Sequence, residues 1–154
     1  METSSFLVHA IDPAVADRLR AGGGLVKMAD SEPGWPCRQC LRDVHVGERV
    51  LLVSYDPFDA SCESPYHTAS PIFLHLAPCA PAATPIGELP VQLTSRRLSL
   101  RAFDADAMMR EGRVVEGQDL GKALSELFSC DDVVDVHVHN AAPGCFAARV
   151  TRGS

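Results

Sequence analysis

Apolar and polar residues alternate most clearly in Leu98-Ser99-Leu100-Arg101-Ala102-Phe103 and in Asp135-Val136-His137-Val138-His139. A period of two marks a strand with one buried face. Phe6 to Ile11, Arg49 to Tyr55, Pro71 to Leu76 and Cys145 to Val150 are further apolar, β-branched runs and read as strands. Pro71 can only begin its strand or lie on an edge. Val46-Gly47-Glu48 is a turn ahead of Arg49, and Asn140 to Gly144 is the loop of a closing hairpin. Asp56 to Pro65 holds turn residues and reads as a loop, with Ser64-Pro65-Tyr66 at its tip.

Two segments carry a helical period instead. Asp12-Pro13 supplies an N-cap and a proline at the first helical position for residues 14–20, where Val15 and Leu19 share a face. Gly22-Gly23-Gly24 stops this helix. Because the triple glycine follows a helix, it reads as a flexible connector and not as a phosphate cradle. Residues Asp119 to Phe128 place Leu120, Ala123, Leu124 and Leu127 on one stripe. The sum predicts an α+β fold, mainly antiparallel sheet with two short helices. Residues 78–90 are rich in Pro and Ala and have no periodicity, so they are an irregular connection or a linker. Neither half would easily close its own core, so residues 1–154 are expected to form a single domain.

Composition narrows the function classes. Hydrophobic residues make up 46% and charged residues 22%, as in an ordinary globular protein. The net charge of −6 argues against a general nucleic-acid-binding surface. No apolar run approaches the roughly 20 residues of a membrane helix, and the N-terminus carries no secretory signal. A cytoplasmic location is the expectation, with the six cysteines reduced, buried or metal-bound. Arginine outnumbers lysine, whose only copies are Lys27 and Lys122. Anion recognition and genomic base composition both account for that bias.

The strongest chemical signal is a pair of cysteines, Cys37 and Cys40, answered by His75 and Cys79. The pattern is C-x2-C-x34-H-x3-C. Structural zinc sites close with four Cys or His ligands, usually two local pairs separated by a longer segment. The turn and strand that follow the first pair resemble the hairpin of treble-clef and PARP-type zinc fingers. Two other readings stay open. Trp35 before Pro36-Cys37 is similar to a thioredoxin-like redox motif, which requires the first cysteine to start a long helix. The third reading is two turn cysteines without metal, with His75 and Cys79 in core or loop.

A second candidate lies on the last hairpin. Strand periodicity puts Asp135, His137 and His139 on one face, opposite Val134, Val136 and Val138. The valines are the expected core. The polar face is expected to meet solvent, or to present two imidazoles to a ligand or metal. Cys145 lies across the hairpin from both histidines, which allows a Cys–His nucleophile or a small buried cysteine. Arg96, Arg97 and Arg101 could gather an anion with Arg49 or Arg149, or be solvated strand charges. Cys62 and Cys130 have no visible partner. There is no G-x-S-x-G, P-loop or dinucleotide fingerprint.

Several segments together resemble the bacterial "domain of unknown function 1203" family. They are Cys37-Arg38-Gln39-Cys40-Leu41-Arg42-Asp43, Gly47 to Tyr55, Ser64-Pro65-Tyr66, Ser70-Pro71-Ile72-Phe73-Leu74-His75, Arg101 to Ala105 and Gly144-Cys145-Phe146. The resemblance runs over nearly the whole chain. It implies a full-length fold rather than an isolated finger, and it implies no activity. The resulting expectation is a noncatalytic binding or interaction domain with a structural zinc held by Cys37, Cys40, His75 and Cys79. The alternative is a small enzyme or ligand-binding protein with its site near His137, His139 and Cys145. A pocket lined by Asp135, His137, His139 and an arginine favours the alternative. Nucleic acid and membrane are not expected as partners, and the choice of any other partner is left open.

Overall fold

The valine-rich strands find their partners in two antiparallel sheets. A computed structural model describes residues 5–58 and 60–153. The elements are β1 (Phe6–His9), α1 (Pro13–Gly22), β2 (Leu25–Met28), β3 (Arg49–Tyr55), β4 (Ser70–His75), α2 (Val91–Thr94), β5 (Arg97–Phe103), β6 (Met109–Glu116), α3 (Leu120–Phe128), β7 (Asp135–Asn140) and β8 (Phe146–Arg152). The first sheet has the order β1-β8-β7-β5-β6 and the second β2-β3-β4. The architecture is α+β and mainly antiparallel, with α2 as a short third helix. Among the described residues, no helix is long and apolar enough to cross a membrane.

One face of the five-stranded sheet carries Val8, Val150, Val136 and Ala102 in register, with Leu100, Val138 and Ala148 in the next row. The α3 stripe of Leu120, Ala123, Leu124 and Leu127 packs on this face, and all of these side chains are buried. A second apolar cluster lies between α1 and the three-stranded sheet and includes Ala16, Val44, Val50, Ile72 and Leu74. Each region sends one side chain into the other's cluster. Leu41, from the cysteine turn, belongs to the first, and Phe146 of β8 belongs to the second.

Helix α1 starts as its sequence dictates: the Asp12 carboxylate accepts from Ala14 N at 2.8 Å, and Pro13 is the first helical residue. Gly23 ends it with φ 79°. The glycine run is not a loose connector, however. A side-chain carbon on Gly24 would lie 2.5 Å from the Leu52 carbonyl, so the chain there runs directly into β2 against β3. Residues 78–90 contain no helix or strand. They are nevertheless tied down, through Ala82 N to Gln39 O at 2.9 Å and Gly87 N to Phe6 O at 2.8 Å.

The other face of the five-stranded sheet departs from expectation. His137 and His139 are each only 4% exposed. The expected solvated face is covered by the loop after β3, which lays Phe58 on His137 at 4.8 Å between ring centroids. Phe103 and Phe146 complete the contact at 4.9 and 5.8 Å. Strand β7 is therefore buried on both faces. Ser64 is not an exposed tip either: it is buried, and its hydroxyl donates to Ala107 O at 2.6 Å, anchoring this loop.

Candidate metal centre

Residues 36–43 form a tight turn closed by Cys37 N to Arg42 O at 3.0 Å and Leu41 N to Cys37 O at 3.1 Å. Leu41 takes φ 56°, a left-handed conformation unusual for a branched side chain, and its burial in the apolar core offsets the strain. The turn is stitched to β4: Cys37 bridges Phe73, and Arg38 N donates to Phe73 O at 3.1 Å. That docking brings the cysteine pair beside His75, the last residue of β4, and beside Cys79 on the connection that follows.

One ligand atom from each of Cys37, Cys40, His75 and Cys79 lies within 4.8 Å of every other. The Sγ atoms of Cys37 and Cys79 are 3.7 Å apart, and Cys40 Sγ lies 3.7 Å from His75 Nδ1. A tetrahedral ion with Zn–S near 2.3 Å and Zn–N near 2.0–2.1 Å sets sulfurs about 3.8 Å apart, and sulfur and nitrogen about 3.6 Å apart. The residues therefore fit a four-coordinate metal. All six cysteines are free of disulfides. The first cysteine opens a turn and not a long helix, which removes the thioredoxin-like arrangement.

The surroundings suit a thiolate cluster. Cys37 is fully buried and accepts from His75 N at 3.4 Å. The hydrogen bond from Cys40, followed by backbone N–H groups, holds the Cys37 thiol well below its ordinary range. The hydrogen bond to Cys37 and burial push Cys40 up, and burial with the Cys37 charge pushes Cys79 up. Three thiolates this close repel one another, and a divalent cation removes that penalty. A zinc with three thiolates and one imidazole leaves one net negative charge. Arg20 is placed to meet it, reaching Cys79 Sγ at 3.9 Å, His75 O at 2.9 Å and Gln39 Oε1 at 2.7 Å. His75 turns its other nitrogen, Nε2, to Glu48 Oε1 at 3.6 Å.

The last-hairpin candidates do not converge as one catalytic group. Arg38 Nη2 donates to Cys145 Sγ at 3.1 Å, and Asn140 Nδ2 approaches the same sulfur at 3.7 Å. His139 Nδ1 donates to Gly144 O at 2.9 Å, which leaves Nε2 as the acceptor facing Arg101 Nη1 at 3.5 Å. Burial pushes both His137 and His139 down to about 4, so both rings are neutral. The arginines separate as well. Arg96 pairs with Asp43 at 2.9 Å, Arg97 with Glu116 at 2.6 Å and Arg149 with Asp135 at 2.5 Å.

Two hollows meet at His137. A cleft of about 1390 Å³ contains Asp135, Arg149 and His9, and a smaller cavity of about 250 Å³ contains His139 and Arg101. Of the residues whose shared pocket would favour a ligand site, His137, His139 and Arg101 line the smaller cavity together, while Asp135 lies in the larger cleft.

A family model described as "Protein of unknown function (DUF1203)" matches residues 34–152. The chain belongs to this family. No curated protein matches it, and no solved structure matches it. The DUF1203 span contains all four candidate ligands and the whole last hairpin.

Within this DUF1203 domain, the residue least legible in sequence is Arg38. It stands between the two ligand cysteines and is only 1% exposed. Its guanidinium donates to Phe146 O and Pro36 O, both at 2.7 Å, besides Cys145. It therefore clamps the cysteine turn to β8. A charged residue inside C-x2-C reads as a solvated turn tip, and nothing nearby in sequence announces a buried partner.

Proposed function

We propose that this chain is a noncatalytic binding or interaction domain whose Cys37, Cys40, His75 and Cys79 hold a structural zinc. The supporting observation is the approach of four ligand atoms to within 4.8 Å from a turn and a strand end far apart in sequence. Three thiolates and an imidazole in tetrahedral array favour zinc over harder cations. A shell filled by four protein ligands leaves no position for water or substrate, which is why the role assigned is structural. The same reading treats residues 1–154 as one domain and sets it in a reducing, cytoplasmic environment, consistent with free thiols. Elemental analysis of protein purified without chelator tests it. About one zinc per chain is expected, and loss of that zinc in Cys37→Ser and Cys79→Ser. Metal-free wild type of unchanged stability would sink the proposal.

A second reading, a ligand-binding site near His137 and His139, draws on the cavity those rings line. Cys145 is outside this reading, because its sulfur is engaged by Arg38 and Asn140. Ligand-observed NMR with small aromatic fragments tests it, with His137→Phe as the variant that should alter binding.

A further inference from the structure

The row His9, Arg149, His137, Arg101 runs in register across β1, β8, β7 and β5. All four residues share the face opposite α3, because directly paired residues of antiparallel strands point the same way. The row changes character at His137. On the β8 side Arg149 is neutralised by Asp135. On the β5 side Arg101 has no carboxylate within ion-pair distance among the described residues, and it faces the neutral His139 ring at 3.5 Å.

The cavity beyond Arg101 is roofed by the loop after β3. Phe58, Tyr66 and Phe103 give it aromatic walls, and Pro57, Pro65 and Met109 close it further. Among the described residues, no Asp or Glu lines it. His137 is buried at its floor, and neither ring nitrogen has a hydrogen-bond partner among the described residues, although three aromatic rings surround it. Among the described residues the sealed side-chain atoms without a partner are Gln92 Oε1 and Asn140 Oδ1, so the His137 nitrogens stay accessible to water or to a ligand. Among the described residues the site thus offers one guanidinium without a carboxylate partner, two neutral imidazoles, the Thr68 hydroxyl and a largely apolar enclosure.

We infer that this cavity binds a small monocarboxylate with an aromatic or compact apolar body, its carboxylate on Arg101 and its body between Phe58, Tyr66 and Phe103. A cavity of about 150 Å³ accommodates a benzene ring, so about 250 Å³ leaves room for a ring with a carboxylate. A planar carboxylate matches a guanidinium fork. His137 can donate to a ligand oxygen or accept from a ligand hydroxyl. Inorganic phosphate fits poorly, since it carries more charge than one guanidinium balances and has no apolar body for the aromatic walls. This assignment rests on the ligand-site reading above and adds its chemistry.

The test is a titration of the full, metal-replete chain with benzoate, benzamide, benzylamine and inorganic phosphate, followed through the ring resonances of His137 and His139. Benzoate should shift both rings and bind on the order of tenfold or more tightly than benzamide, the range expected of a hydrogen bond to a charged group. Benzylamine and phosphate should leave the rings unmoved. Arg101→Gln should erase the preference for benzoate, and Arg101→Lys should restore part of it. Equal binding of benzoate and benzamide to wild type overturns the carboxylate assignment and leaves a ligand site. No response to any probe overturns both. Benzoate binding that ignores Arg101→Gln places the anion elsewhere and also overturns the assignment.

Discussion

His75 directs Nδ1 to the cysteines and Nε2 to Glu48, with Nε2 3.6 Å from Glu48 Oε1. A metal-binding imidazole gains basicity and a defined tautomer from a carboxylate on its second nitrogen. Glu48 also accepts from His45 N at 2.8 Å, so its position is fixed by the turn ahead of β3. Glu48→Gln keeps an acceptor for that N–H but removes the charge behind His75. Metal affinity is expected to fall about tenfold, toward the lower end of such effects. Competition against a chelator of known affinity measures it, and an unchanged value would show that Glu48 does not support the ligand.

Arg38 is a buried cation whose partners are two carbonyl oxygens and a cysteine sulfur. Burial pushes its own pKa down from the usual arginine value. Arg38→Met leaves Phe146 O and Pro36 O without donors in a site closed to water. We expect a loss of about 3 kcal/mol in urea unfolding. Arg38→Lys should recover only part of this, since an ammonium cannot serve the same directions at once.

Gly117 opens a single 3-10 turn over Gly117–Asp119, just ahead of α3. A side-chain carbon there would run into the carbonyls of Leu93, Thr94 and Arg96. Backbone atoms cannot step aside as a flexible side chain can, so Gly117→Ala must displace α2 or the start of α3. Destabilisation of about 3 kcal/mol is expected, at the top of the usual overpacking range. Thermal unfolding reads it, and Gly121→Ala serves as the contrast, because its nearest neighbour would be a leucine methyl at 3.6 Å.

His137 and His139 give stability a pH dependence of definite sign. Burial lowers both to about 4 in the folded protein, whereas an unfolded histidine titrates near 6.5. Between those values the unfolded state holds protons that the folded state lacks. Stability is therefore full above about pH 6.5 and falls as pH drops toward 4. A single ring accounts for about 3 kcal/mol over that span. Acid also releases metal, so the informative quantity is the difference between wild type and His137→Phe in urea midpoints at pH 7 and pH 4.5. The variant should lose less on acidification, and parallel losses would contradict the assignment.

The regular elements were legible where one face is apolar. The alternation in β5 and the stripe in α3 translate directly into buried Leu98, Leu100, Leu124 and Leu127. Leu25–Met28 escaped because all its side chains are exposed, so no inside–outside alternation marks it as β2. Met109–Glu116 escaped because β6 is an edge strand carrying Arg110, Glu111, Arg113 and Glu116, along which only Met109, Arg113 and Val115 are partly shielded. The four metal-ligand candidates were readable from spacing alone, since local pairs announce themselves. The covering of His137 was not, because it depends on a long-range return of Phe58 to the sheet. A histidine between valines looks polar until an aromatic ring from elsewhere makes it part of the interior.

The exchange of Leu41 and Phe146 between the two apolar clusters bears on how the molecule comes apart. Leu41 sits on the cysteine turn and Phe146 meets its Arg38 clamp, so one link between the two regions lies beside the candidate metal centre, in addition to the Phe58 and Ser64 contacts of the loop after β3. With the ion in place, the slowest-exchanging amides of both sheets should share one opening free energy. After chelation, deuterium should enter β3 and β4 ahead of β5, β7 and α3. A bound ion at the cysteine turn would then add to the cooperativity of unfolding by tightening one of the links between the two regions.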